Sequence, residues 1–98
     1  MSQDRDAILT RLLELIRRLY SETEGFLDNA ADPQLWYNRG YANGMLKALQ
    51  ELGYEERLAS ELESDPDDLI AGQEALPWGR AFRHGVEVGF RETHEVLA

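Results

Sequence analysis

Two pairs of glycines sit inside stretches whose apolar spacing is helical, and they constrain the fold more than anything else in the chain. The segments Trp36-Tyr37-Asn38-Arg39-Gly40-Tyr41-Ala42-Asn43-Gly44-Met45 and Phe82-Arg83-His84-Gly85-Val86-Glu87-Val88-Gly89-Phe90 superimpose without a gap. Gly40 falls on Gly85 and Gly44 on Gly89, both 45 positions on; Tyr37 then matches Phe82 and Met45 matches Phe90. A glycine inside a helix costs ~1 kcal/mol relative to alanine, so four cost ~4 kcal/mol. A second backbone brought into close approach is the usual source of the compensation. The small-residue tracks Gly40, Gly44, Ala48 and Ala81, Gly85, Gly89 therefore predict two helices that cross through their glycines. Whether the crossing lies within one chain or between two is left open by the pattern. A membrane-embedded dimer is excluded by Arg39, Asn43, Lys47, His84, Glu87 and Arg91 on the same helices.

The rest of the chain reads as helices too. Apolar residues at Ile8, Leu9, Leu12, Leu13, Ile16, Leu19, Tyr20, Phe26 and Leu27 keep one helical face, predicting a long helix over about 3–28, with Gly25 a weak point near its end. Asp32 and Pro33 form an N-cap and first-turn proline that open a second helix over about 33–52, closed by Gly53 in a left-handed conformation. Its polar residues Arg39, Asn43, Lys47, Gln50 and Glu51 line one narrow stripe. One or two short helices, about 54–63 and 67–75, follow, with Ser64-Asp65-Pro66 between them as a second cap-then-proline signal. Pro77 opens the last long helix, over about 77–96. No segment alternates with period two. The expected fold is a single all-α domain over 1–98: a small bundle of three long helices with the short pieces between the second and third.

Of the net charge of −9, residues 54–75 carry −7, as eight acids against Arg57 alone. Direct binding to nucleic acid is not expected, because it needs a basic stripe to displace counterions. A basic protein surface would instead be drawn to this segment. The absence of cysteine excludes disulfides, thiolate metal sites and thiol nucleophiles. The N-terminus lacks the basic-then-apolar order of a signal peptide, and no apolar run approaches the ~20 residues of a membrane span, so a cytoplasmic protein without membrane partners is expected.

Catalytic chemistry finds little support. The glycines are not followed by the Lys-Ser/Thr of a phosphate-binding loop, and no serine has a histidine nearby to activate it. His84 and Glu87 stand one turn apart, but a di-iron bundle needs such pairs from two helices. Asp65-Pro66-Asp67-Asp68 fails as a calcium loop, with Leu69 and Ile70 where a ligand and a glycine belong. The chain is read as non-enzymatic, without catalytic residues, metal or cofactor. Over fewer than ten residues, the Arg39-Gly40-Tyr41 helix with a later tryptophan resembles the ribosome modulation factor family. That family is small and strongly basic where this chain is acidic, and no function is carried over from it.

The reading that follows is an adaptor or inhibitor acting by protein–protein contact, with a homodimer compatible with the pattern. Candidate partner-binding residues are the aromatics Trp36, Tyr37, Tyr41 and Trp78, with Arg39 among them, because tryptophan, tyrosine and arginine dominate interface hot spots. The acids Glu61, Glu63, Asp67 and Asp68 complete the set. Two alternatives stand beside it: a nucleic-acid mimic that presents the carboxylates of 55–74 to a DNA- or RNA-binding protein, and a small ligand- or metal-binding bundle.

Overall fold

The structure, a computed structural model, describes residues 2–58, 65 and 69–97. It contains three long helices: α1 (Ser2–Glu22), α2 (Pro33–Glu51) and α3 (Pro77–Leu97). Single 3-10 turns occupy Phe26–Asp28 and Glu55–Arg57, and there is no strand among the described residues. The all-α bundle expected from the periodicity is the fold observed.

Helix ends follow local chemistry. Asp32 caps α2 by accepting the Leu35 amide at 3.2 Å, with Pro33 in the first turn. Gly53, at φ +91°, ends it as expected. The first helix stops six residues earlier than its apolar pattern predicts. Gly25 takes φ +78°, which breaks the helix and folds Phe26 back as a separate turn, so that Phe26 keeps its buried position without continuing α1. The predicted short helix over 54–63 reduces to the 3-10 turn at Glu55–Arg57, after which Leu58 is extended; positions 59–63 lie outside the described residues. For the predicted helix over 67–75, residues 67 and 68 are likewise outside, and 69–72 form turns.

α2 and α3 run parallel. Trp36 and Trp78 meet at 4.3 Å near their starts, and Glu51 approaches His94 at 3.7 Å near their ends. The 25 residues between them, 52–76, therefore join the end of α2 to the start of α3 at the opposite end of the pair. α1 runs antiparallel to α2. Leu9 and Ile16 pack with Met45, Leu46, Leu49 and Leu97 in one core cluster. At the other end, Phe26, Trp36, Ile70 and Phe82 form a second cluster, with Trp78 packed against it.

The glycine tracks are used inside the monomer. A Cβ on Gly40 would fall on the Phe82 carbonyl, and one on Gly85 would fall on the Tyr37 carbonyl. Gly44 meets the Val86 carbonyl and Gly89 that of Tyr41. Shifting by the 45-residue offset turns each contact into its counterpart, since Tyr37 matches Phe82 and Tyr41 matches Val86. Reciprocity of this kind is what a twofold axis imposes on a dimer interface. Here a pseudo-twofold axis runs between two parallel helices of one chain. The glycine hydrogens that replace each Cβ point at carbonyl oxygens, a geometry suited to weak C–H···O bonds.

Candidate interaction surface

The middle of the polar stripe of α2 is not a solvent face, although Gln50 and Glu51 at its end are exposed. Asn43 is 2% exposed, and every polar atom of its amide is matched. Its nitrogen donates to Asp65 Oδ2 at 2.7 Å and to the Arg39 carbonyl at 3.0 Å. Its oxygen accepts from the Asp65 amide at 2.7 Å and from the Tyr20 hydroxyl at 2.6 Å. That uses two donors and two acceptors, the full capacity of an amide side chain.

Arg39 stands one turn before it. Its Nε and Nη2 donate to the two carboxylate oxygens of Asp65, at 2.7 and 3.2 Å. The remaining Nη1 donates to the Tyr20 carbonyl at 3.3 Å and to Thr23 Oγ1 at 3.2 Å. The guanidinium lies 4.3 Å from the centre of the Tyr20 ring and 4.7 Å from that of Phe26. Arg39 thus serves three elements at once. It fixes Asp65 of the return segment in a bidentate pair, and it supplies positive charge and a donor to a carbonyl in the last turn of α1, which carries no basic residue of its own. It also covers two aromatic faces. Burial pushes the Tyr20 phenol above its ordinary range; nearby Asp65 adds to the shift and Arg39 acts against it.

This knot fixes Asp65 of the acidic segment. Asp65, midway along residues 54–75, spends its charge inside the molecule, while Glu55, Glu56 and Glu74 on either side of it are exposed. Leu58, Leu69 and Ile70 turn their side chains toward the two core clusters. A cleft of about 490 Å³ opens between the return segment and the two crossing helices, with Asn43, Lys47, Asp65, Phe82 and Val86 among its lining. Glu61, Glu63, Asp67 and Asp68 lie outside the described residues.

The aromatic candidates are drawn largely into the monomer. Trp36 is 3% exposed and donates its indole N–H to the Asn29 carbonyl at 3.1 Å. Trp78 is half-buried against it. Tyr37 is half-buried, with its ring 5.6 Å from the exposed His84. Tyr41 donates to Glu92, and burial together with that bond pushes its phenol up to about 12. Arg39 is engaged as described, and Gly40, Gly44, Gly85 and Gly89 form the crossing. The His84–Glu87 pair does not close on itself: Glu87 pairs instead with Arg83 at 3.4 Å on an exposed face.

Sequence reasoning missed Tyr20, Thr23, Asn43 and Asp65 as one constellation. The available signal was an asparagine in the middle of a helix that is apolar over most of its circumference. Such a residue needs partners if anything covers it. Among the described residues, no group of three or more His, Asp or Glu side chains is placed to hold a metal ion, and no helix is long and apolar enough to cross a membrane. No protein-family model, no curated protein and no solved structure matches the chain.

Proposed function

We propose that this chain is a non-enzymatic cytoplasmic interaction protein, which binds the basic surface of another protein through its acidic return segment, residues 54–75. The observation that carries this reading is the anchoring of that segment at its middle. Asp65 is held by Arg39 and Asn43, and the acids around it belong to a stretch carrying −7 of the chain's −9 charge. A segment already tied to the bundle gives up less freedom on binding than a free tail does. Concentrated charge of one sign speeds encounter with an oppositely charged surface.

The test is capture of partners from the native host on immobilised protein, with identification by mass spectrometry. It is run beside a variant with Glu55, Glu56, Glu61, Glu63, Asp67, Asp68 and Glu74 changed to lysine and Asp65 retained. Specific partners are expected to be lost from the variant and to elute from the natural chain at moderate salt. A partner retained equally by both proteins would overturn the reading. Competing duplex DNA separates two kinds of partner: it displaces the chain only where the basic surface is itself a nucleic-acid-binding cleft.

A further inference from the structure

The cleft of about 490 Å³ between the return segment and the crossing helices has an apolar floor. Ile70 of the return segment packs there with Phe82 of α3, and Val86, one turn further along α3, is half-buried against them. The volume lies in the range of pockets that enclose a small ligand, so one large side chain fits within it.

The charges along its walls are balanced. Arg39 holds Asp65 at 2.7 Å, and Arg83 pairs with Glu87 at 3.4 Å. Lys47 and Glu74 bring one charge of each sign. Asn43 has spent its whole amide on Asp65, Tyr20 and the Arg39 carbonyl. The described walls therefore carry no net charge to draw in an ion, and what the cleft offers is apolar surface. Asp65, Ile70 and Glu74 belong to the return segment itself, so whatever is drawn to that segment arrives at the mouth of the cleft.

We propose that the cleft receives one apolar side chain, aromatic or long aliphatic, from the basic protein surface that the acidic segment attracts. This rests on the partner reading above and names the contact that makes the partner specific. Surface charge acts mainly on the rate of encounter, whereas an anchor buried in a pocket carries much of the binding energy. The two regions divide the recognition accordingly. Lysines or arginines of the partner face the acids of 54–75, and an apolar residue among them enters between Ile70 and Val86. The recognised surface is thus a large apolar side chain flanked by bases.

Calorimetric titration of the full chain tests it with two short lysine-rich peptides that differ only in a central phenylalanine or alanine. The phenylalanine peptide is expected to bind at least about tenfold more tightly. It should also shift the methyl resonances of Ile70 and Val86, which the alanine peptide leaves in place. Val86→Trp fills the cleft. Val86 meets Gly44 through its carbonyl, so this change leaves the helix crossing intact, as unchanged far-ultraviolet circular dichroism should report. In that variant the two peptides are expected to bind equally, at the strength of the alanine peptide on the natural chain. Equal binding of both peptides to the natural chain, unmoved methyls, or a phenylalanine advantage that survives Val86→Trp would overturn the anchor and leave the acidic-segment reading standing. If neither peptide binds, both fall. Self-association of the chain alone that Val86→Trp abolishes would assign the cleft to a second copy and overturn the proposal.

Discussion

The chain closes on itself at two places by opposite means. At the α2–α3 crossing, four glycines let two backbones touch, and the contact consists of hydrogens, carbonyls and the aromatics that flank them. At the Arg39–Asn43–Asp65 knot, long polar side chains span the gap between segments and pair donors with acceptors across it. The crossing depends on the absence of side chains, the knot on their full complement. The first tolerates no added atom, and the second tolerates no missing one.

Substitutions can break each side of that contrast, and the crossing should yield most. Gly44→Val places branched carbon against the Val86 carbonyl and within 2.8 Å of the Phe90 amide nitrogen. Neither group can move without separating the helices. A loss of about 3 kcal/mol or more is expected in urea unfolding. Gly53→Ala supplies the control, because nothing lies within 4 Å of the added carbon and only the left-handed backbone is strained. It should cost about 1 kcal/mol. Equal losses at the two positions would mean that close approach is not what the glycines provide.

The knot comes next. Arg39→Ala leaves the Asp65 carboxylate, 17% exposed, without its cation, and about 3 kcal/mol is expected to be lost. Asp65→Ala should be comparably damaging. The double variant should be less destabilised than the sum of the two, and strict additivity in the cycle would show that the residues do not act as a pair.

Tyr20→Phe removes a single bond to Asn43 and should cost about 1 kcal/mol. It also carries a pH signature. A phenol held above its ordinary value of 10 keeps its proton more tightly in the folded state, so its contribution is intact below pH 10 and is lost as pH rises beyond it. Stability of the natural chain should thus fall above pH 10, and more steeply than that of Tyr20→Phe. Matching slopes would remove Tyr20 as the cause. The smallest effect is expected from Tyr41→Phe, whose bond to Glu92 is open to solvent. About 0.5 kcal/mol at most should be lost in the same urea titration.

How much of this was legible beforehand follows the same division. Local rules carried the helices, since Asp32-Pro33 and Gly53 act within a turn of themselves and apolar periodicity is a property of short windows. The glycine tracks announced a crossing, because glycine inside a helix needs a reason. The knot was not legible. Arg39 and Asn43 lie 26 and 22 residues from Asp65, and nothing near either end names the other. Read locally, they form the solvent stripe of an amphipathic helix. What buries them is a segment whose own pattern, Ser64-Asp65-Pro66, suggested a helix cap and which spends its carboxylate on another element instead. The early end of α1 has a similar origin: the apolar pattern continues through Phe26, but the left-handed Gly25 lets that residue reach the Trp36 cluster by a turn.

Parallel packing of α2 and α3 also bears on the order in which the chain assembles. Ten residues join the antiparallel α1 and α2, whereas 25 must close before α3 can lie alongside α2. Closing the longer loop costs about 0.8 kcal/mol more in chain entropy, and the crossing gives no return until it is closed. On loop length alone, the α1–α2 pair is expected to form first and α3 to join it later. In stopped-flow experiments, Ile16→Val at the α1–α2 contact should slow folding, while Gly44→Ala should act chiefly by speeding unfolding. The reverse pattern would place the glycine crossing in the folding nucleus.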